Sequence, residues 1–282
     1  MKWRTGRRSS NIEDRRQVRL GGTGRIGLGG LLIALLVGWL FGVDPAMLLQ
    51  LIGGGGGPVT EQVRVSPEDE ERMAFVSVVL ADTEDTWTPL FQGAGRQYAE
   101  PKLVLYRGAV QSACGFSQAA MGPFYCPADQ KVYLDLSFFD DLQGKLGAHG
   151  DFAMAYVIAH EIGHHVQNLL GILPKVQAAQ QRASEVDANR LLVRLELQAD
   201  CYSGIWAHHA QQARNVLEEG DIEEAVNAAG AVGDDRLQRR AQGYVVPDSF
   251  THGTSEQRAH WFRVGFETGS VNACDTFGQA RP

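Results

Sequence analysis

The segment VIAHEIGHHVQN, at residues 157–168, constrains the fold more than any other part of the chain. It contains His160, Glu161 and His164 in the pattern HExxH, flanked by apolar residues at helical spacing. On an α-helix, residues four apart lie on one face, so both imidazoles can point at a single metal ion. Glu161 lies close enough to reach a water molecule held by that ion. The segment therefore predicts a helix with a catalytic zinc site, and a core helix with structural histidines is the alternative.

A catalytic zinc site needs a third protein ligand. Gln167 and Leu170 stand where the metzincin pattern requires glycine and histidine, so the sequence excludes that class. The later segment VRLELQADCYSGIWAHH places Glu196 and Asp200 four residues apart, again on one helical face. Glu196 is predicted to bind the metal, and Asp200 to accept a hydrogen bond from a histidine ligand. His165 is rotated off the shared face and is expected to lie outside the ligand set.

Peptide hydrolysis also requires a donor for the oxyanion that forms on the attacked carbonyl group. His252, in FTHGTSEQR, is the first candidate and Tyr244 is the second, although a surface or capping role fits either residue. An extended substrate can be held as an added strand along the edge of a sheet. The segments GPFYC and KVYLDL are candidates for that edge, and both are equally compatible with buried strands.

The N-terminal part of the chain divides by charge. Residues 1–25 are strongly basic, whereas residues 26–43, IGLGGLLIALLVGWLFGV, carry no charge. As a helix, the uncharged stretch spans roughly 27 Å, just enough to cross a bilayer core. We predict a basic cytoplasmic arm at 1–25, a transmembrane helix at 26–43, a glycine-rich linker at 44–65 and a folded domain at 66–282. A cleaved signal peptide is the alternative for the uncharged stretch.

The same charge pattern predicts an orientation. Basic residues beside a membrane helix stay in the cytoplasm, which places the folded domain outside the bacterial inner membrane as part of a single-pass protein. The net charge of −7 argues against a nucleic-acid partner for the bulk of the protein.

All four cysteines lie beyond the predicted membrane helix, which fits two disulfides in an oxidising compartment. The loop CGFSQAAMGPFYC favours pairing Cys114 with Cys126, which would leave Cys201 with Cys274. Three connectivities are possible from the sequence alone. Four buried free thiols are the alternative.

The order of the predicted elements indicates an α+β fold that is mostly helical, with a small sheet. A helix is predicted after Ser66, followed by a strand over 102–115, two strands around the CPADQ turn and then mostly helices. Asp82, Glu84 and Asp85 lie together in ADTEDTW. We expect them to make polar contacts at a helix end rather than bind calcium, because the glycine of a calcium loop is missing.

The chain resembles the bacterial neutral zinc metallopeptidases, single-span membrane proteins with one extracytoplasmic zincin-like domain. The resemblance runs nearly end to end and rests on GPFYCPADQKVYLDLSFF, YVIAHEIGHHVQNLLG, ELQADCYSGIW and THGTSEQRAHWFRVGFETG. It implies Zn²⁺ as cofactor, with ligands at His160, His164 and Glu196 and a general base at Glu161. It does not imply a defined substrate.

Together these observations predict a membrane-anchored zinc metallopeptidase that hydrolyses a peptide or protein substrate and leave its oligomeric state open. Two other classes of protein also fit the sequence. A non-catalytic envelope-assembly or chaperone-like protein would hold a structural zinc, closed by a fourth ligand such as His165 or His252. A metal-dependent amidase would instead act on cell-wall peptides.

Overall fold

The computed structural model describes residues 1–17, 65–118 and 122–278. The predicted membrane helix at 26–43 and nearly all of the predicted linker lie outside these residues. Within the described ranges, no helix is both long and apolar enough to cross a membrane. Residues 1–16 and the chain from Val65 onward form one compact unit.

The unit contains a small mixed sheet and a separate hairpin. In chain order the strands are β1 (Ile12–Asp14), β2 (Lys102–Tyr106), β3 (Ala109–Ser112), β4 (Gly115–Gln118), β5 (Phe124–Cys126) and β6 (Lys131–Asp135). The sheet has the strand order β1-β2-β6-β5, and β3 and β4 form the hairpin. Strands β1 and β6 run parallel to β2, whereas β5 runs antiparallel to β6. The two strands predicted around the CPADQ turn are therefore confirmed.

The strand predicted over 102–115 is interrupted after Tyr106. Gly108 has a φ of +81°, a left-handed conformation that residues with a Cβ rarely adopt. Its N–H donates a hydrogen bond of 2.6 Å to Asp135 Oδ2. The chain therefore leaves the sheet here and turns into the hairpin.

Helices make up most of the unit. In chain order they are α1 (Pro67–Gly93), α2 (Phe138–Gly144), α3 (Asp151–Leu169), α4 (Ile172–Gln180), α5 (Glu185–Arg214), α6 (Asp221–Ala231), α7 (Asp234–Gln242) and α8 (Ser255–Thr268). Single 3₁₀ turns lie at Pro247–Ser249 and Val271–Ala273. The described residues thus confirm a mostly helical α+β fold with a small mixed sheet.

Helix α1 begins as predicted, because Ser66 caps it and forms a capping box with Asp69. The prediction that Asp82, Glu84 and Asp85 lie at a helix end was wrong. All three lie in the interior of α1. Arginine side chains from α5 and from the N-terminal residues bind them there as ion pairs.

Glycines bring α5 into close contact with two neighbouring helices. A Cβ placed on Gly163 of α3 would lie 3.0 Å from the carbonyl oxygen of Ala199 in α5. On the other side, a Cβ on Gly204 of α5 would clash with the carbonyl oxygen of Phe262 in α8. The backbone of α5 therefore packs directly against the backbones of both α3 and α8.

Two disulfides join distant parts of the unit. Cys114 pairs with Cys126, linking the hairpin to β5, and Cys201 of α5 pairs with Cys274 near the C-terminus. This is the connectivity that the short loop favours, and none of the four cysteines is free. Disulfides are typical of proteins outside the cytoplasm, so they suggest an extracytoplasmic domain.

We call residues 1–16 the N-terminal segment. Strand β1 lies in this segment and pairs with β2, with Ile12 opposite Leu103. The amino group of Met1 lies 2.6 Å from Asp151 Oδ1, and Lys2 N–H donates to Val216 O at 2.8 Å. The sequence analysis assigns these residues to a separate arm, whereas here they belong to the same unit as the helices.

Candidate metal centre

Helices α3 and α5 bring three potential metal ligands together. His160 and His164 project from one face of α3 toward Glu196 of α5. His160 Nε2 lies 3.2 Å from Glu196 Oε2, and His164 Nε2 lies 3.3 Å from Glu196 Oε1. One ligand atom from each residue lies within 4.8 Å of those of the other two. The predicted ligand set is thus assembled around one point.

The other ring nitrogen, Nδ1, of both His160 and His164 contacts a side chain outside the ligand set. His160 Nδ1 lies 2.8 Å from Asp200 Oδ1, and His164 Nδ1 lies 2.9 Å from Gln167 Oε1. Carboxylate and amide oxygens only accept hydrogen bonds, so each neutral ring carries its proton on Nδ1. In this neutral form each Nε2 has a lone pair available for a metal ion. Such outer partners fix both the tautomer and the orientation of metal-binding histidines.

The electrostatics of this group favour positive charge. Burial lowers the pKa of His160, but Asp200 and Glu196 outweigh it and raise that pKa to about 10. For His164, burial again lowers the pKa and Glu196 raises it, with a net increase. Two imidazoles and a carboxylate that attract a cation are a donor set that zinc accepts. The residues therefore fit Zn²⁺.

Glu161 is adjacent to these ligands and lines the same cleft. Burial raises the pKa of its carboxyl group, and the neighbouring His164 and His160 only partly oppose that increase. A carboxylate with a raised pKa is a stronger proton acceptor than one in water. Its position and chemistry suit general base catalysis.

The sequence analysis did not identify Arg258, which supports the centre from α8. Its Nε donates to Asp200 Oδ2 at 2.8 Å, and its Nη2 donates to Asp200 Oδ1 at 2.9 Å. Tyr156 of α3 donates a further hydrogen bond to Asp200 Oδ1. Burial raises the pKa of Asp200, but Arg258 and His160 outweigh it and lower that pKa. Asp200 is therefore held as a carboxylate, as its predicted role requires.

The centre lies in the wall of an open cleft of about 650 Å³. Much of the lining is apolar and includes Phe124, Phe138, Val157, Leu173, Leu192 and Leu195. Of the two candidate sheet edges, GPFYC contains the outermost strand β5, whereas KVYLDL contains β6, which lies between β2 and β5. Phe124 and Tyr125 of β5 line the cleft, so the outermost strand on this side of the sheet borders the metal centre.

His252 lies on the cleft wall, and its side chain is 47% exposed. Its Nδ1 lies 3.2 Å from Asp234 Oδ1, and Asp234 Oδ2 accepts the backbone N–H groups of Thr251, His252 and Gly253. Asp234, which the sequence analysis missed, thus holds the loop that carries His252. Tyr244 is 62% exposed and is not among the residues that line the cleft.

His165 faces away from the metal centre. Its Nδ1 lies 3.0 Å from the hydroxyl of Tyr125, and its Nε2 lies 2.6 Å from the carbonyl oxygen of Ala99. Burial lowers its pKa to about 4. The ring therefore packs as a neutral core residue, in the position off the shared helix face that the sequence analysis expected.

Comparison with known proteins identifies the family. A family model described as "Putative neutral zinc metallopeptidase" matches residues 1–277. The chain belongs to this family.

Two relatives illustrate how far the similarity extends. The uncharacterized protein YpfJ of Escherichia coli K12 is 54% identical over 292 aligned positions, which cover 99% of this chain and 100% of YpfJ. The uncharacterized protein Rv2575 of Mycobacterium tuberculosis H37Rv is 40% identical over 263 aligned positions, which cover 86% of this chain and 85% of the relative. No solved structure matches the chain significantly.

Proposed function

We propose that this protein is a zinc-dependent peptidase that hydrolyses peptide bonds outside the cytoplasm. The observation that carries the proposal is the convergence of His160, His164 and Glu196 in the wall of an open cleft, with Glu161 beside them. When bound there, zinc would polarise the substrate carbonyl and make water nucleophilic near neutral pH. Because the cleft is large enough for a peptide side chain and borders a sheet edge, an extended substrate fits it.

The chain's own residues supply the remaining steps. Glu161 accepts a proton from the attacking water and delivers it to the nitrogen of the departing amine. His252 donates a hydrogen bond to the oxyanion, with its ring oriented by Asp234. The edge of β5 pairs with the backbone of the substrate and aligns the scissile bond with Glu161.

The contacts of His165 and His252 argue against a purely structural zinc. A structural site is closed by four protein ligands. Both ring nitrogens of His165 lie beside other partners, and Nδ1 of His252 lies beside Asp234 and Thr251. Among the described residues, the potential ligand group at this centre contains only His160, His164 and Glu196. Three protein ligands leave a coordination position for water, as hydrolysis requires.

The disulfides support a location outside the cytoplasm, and we propose that residues 26–43 attach the protein to the bacterial inner membrane.

The decisive experiment compares the full-length wild type with Glu161→Gln in mild detergent. Each protein is assayed for bound zinc and for cleavage of a peptide library and of cell-wall peptides. We expect zinc to remain bound to the variant while cleavage falls by about 10²–10⁴-fold, because the proton acceptor has been lost. Glu223→Gln, an exposed change on α6, is the matched control and should cleave like the wild type.

Equal cleavage by wild type and Glu161→Gln would exclude Glu161 as the base. Stoichiometric zinc with no cleavage by either protein would favour the structural-zinc alternative, and cleavage of cell-wall peptides alone would favour the amidase. His164→Ala should lose zinc, and full retention would exclude His164 as a ligand.

A further inference from the structure

The N-terminal segment forms an integral part of the folded unit. Strand β1 pairs with β2 in continuous register, from Ile12 opposite Leu103 to Asp14 opposite Leu105. Backbone hydrogen bonds extend this pairing on both sides, from Leu103 N–H to Asn11 O and from Arg15 N–H to Leu105 O, each 2.8 Å. The segment therefore supplies the outer strand of the sheet on this side.

A buried carboxylate on α1 depends on the same segment. Glu84 is 2% exposed. It accepts hydrogen bonds from Arg7 Nη2 at 2.8 Å, Ser9 Oγ at 2.6 Å and Asn11 Nδ2 at 2.9 Å. Burying a carboxylate without partners is strongly unfavourable. The N-terminal segment thus supplies both the positive charge and the hydrogen-bond donors that the buried carboxylate of Glu84 requires.

The other end of the segment is fixed beside the start of α1. The side chain of Arg16 is 3% exposed. Its Nη1 donates to the carbonyl oxygen of Asp69 at 2.9 Å, and its Nη2 lies 3.0 Å from Glu70 Oε1. The compact unit resumes at Val65, only a few residues before these partners. The chain thus leaves the folded unit close to the point at which it enters it again.

We propose that the N-terminal segment and the chain from Val65 onward lie on the same side of the membrane, with the segment docked on its own chain. A segment that lay across a bilayer from α1 and β2 could not donate to Glu84 or pair with Leu103. This arrangement replaces the cytoplasmic arm expected from the basic residues, and it excludes the single crossing of the membrane that the sequence predicts between the N-terminal segment and Val65. Its arginines find partners on the folded unit, as Arg4 does with Glu71 and Arg7 with Glu84.

Both disulfides lie in the chain beyond Val65, so the shared compartment is the oxidising one outside the cytoplasm. Docking of the N-terminal segment does not require peptidase activity. Its test is therefore independent of the test of the metal centre.

The first experiment measures accessibility in intact cells that produce the full chain. Arg8→Cys adds a thiol to an exposed position of the N-terminal segment, and Gln92→Cys adds one to an exposed position on α1. The four native cysteines are paired, so each variant offers a single free thiol. We expect a membrane-impermeant maleimide to label both variants equally before lysis.

Labelling of Gln92→Cys before lysis and of Arg8→Cys only after lysis would overturn the proposal, as would the reverse. Equal protection of both thiols until lysis would support a shared side and overturn its assignment to the outside of the cytoplasm.

The second experiment tests docking itself. Arg4 Nη2 lies 2.6 Å from Glu71 Oε1, and both side chains are exposed. In Arg4→Cys/Glu71→Cys, a short bifunctional maleimide should therefore link the two positions within one chain, giving a product of monomer mass. The control Arg4→Cys/Gln92→Cys should form far less of this product. If neither double variant gave the intrachain product, docking would be overturned. A dimeric product would show that the segment docks on a second copy instead of its own chain.

Discussion

At the residue scale, the side chain of Asp200 connects the metal centre to the helix behind it. Its carboxylate is fully buried and contacts His160 on α3 and Arg258 on α8. With Glu161 and Glu196, it brings three carboxylates to one buried site. Arg258 offsets one of these charges and fixes both oxygens of Asp200 in a bidentate pair.

We therefore expect Arg258→Met to weaken zinc binding by about 10–100-fold, the range seen when outer partners of metal ligands are removed. Arg258→Lys should recover part of this loss, because lysine keeps the charge but not the bidentate geometry. The measurement is the zinc dissociation constant by chelator competition, together with thermal unfolding of the metal-free proteins. The exposed Arg263→Met on α8 is the control. Unchanged zinc affinity in Arg258→Met would show that Asp200 keeps its position without the guanidinium.

His165 gives a prediction of pH dependence. Burial lowers its pKa from 6.5 to about 4 in the folded protein, so the unfolded chain binds more protons between these values. Its contribution to stability is therefore complete above pH 6.5 and is lost as the pH falls toward 4. At 1.36 kcal/mol per pKa unit, the loss is about 3 kcal/mol.

The variant His165→Asn should lack this contribution. We expect its deficit in free energy of unfolding relative to wild type to shrink by about 3 kcal/mol between neutral pH and pH 4. Denaturant titrations at several pH values measure the effect, with the exposed His260→Asn as control. A deficit independent of pH would show that His165 titrates normally in the fold.

At the scale of elements, the distance between α3 and α5 determines whether the ligands meet. Gly163 occupies one of the unspecified positions of HExxH and faces Ala199, which lies between Glu196 and Asp200 on α5. The motif treats this position as free. In the fold, however, a Cβ at this position would press on the backbone of Ala199, so α5, which carries the third ligand, would have to shift.

We expect Gly163→Ala to destabilise the protein by about 1–3 kcal/mol and to weaken zinc binding, since the new Cβ would lie 3.0 Å from backbone of α5. Gly93→Ala is the matched control, because a Cβ at that helix-end glycine meets nothing within 4 Å. Chemical denaturation and chelator competition report the two effects separately. If both variants bind zinc like the wild type, α5 has room to shift without moving Glu196.

The elements and residues that could be predicted from the sequence are those governed by short-range spacing. Helical periodicity places His160 beside His164, and Glu196 beside Asp200, without knowledge of the fold. Gln167 holds His164 at ordinary helical spacing, yet glutamine carries no metal signal. Arg258 could not be predicted, because it reaches Asp200 through the packing of α8 on α5.

The sheet shows the same limit. The CPADQ turn and the alternating residues Val132, Leu134 and Leu136 predict a strand on each side of the turn, but only the observed order of pairing shows that β5 is the edge strand. The break after β2 follows from the backbone conformation of Gly108 and its hydrogen bond to Asp135. Neither can be predicted from the strand propensity of the residues. Strand β1 lies within a basic segment and pairs with residues far along the chain, so the charge pattern alone assigns it to a separate cytoplasmic arm.

At the scale of the whole molecule, the two disulfides should stabilise the fold to different extents. The pair Cys201–Cys274 spans a sequence separation of 73, and Cys114–Cys126 spans 12. In the chain-entropy model, bridges of these spans contribute about 4.4 and about 2.8 kcal/mol, respectively.

We therefore expect Cys201→Ala/Cys274→Ala to lower the free energy of unfolding by about 1.5 kcal/mol more than Cys114→Ala/Cys126→Ala. Equilibrium unfolding without reductant measures both. The reverse order would indicate that local fixation of β5, rather than closure of the long loop, dominates.

The pairing of the N-terminal segment has a consequence for the order of events during synthesis. Lys2 donates its hydrogen bond to Val216, and Ile12 cannot meet Leu103 until β2 has been made. At translation rates of about 5–20 residues per second, Lys2 waits roughly 10–40 s for its partner to be polymerised. Strand β1 waits about 5–20 s at the same rates, because β2 is made about 90 residues later. Until then the opening residues of the nascent chain must remain hydrated and unpaired or be bound by a chaperone.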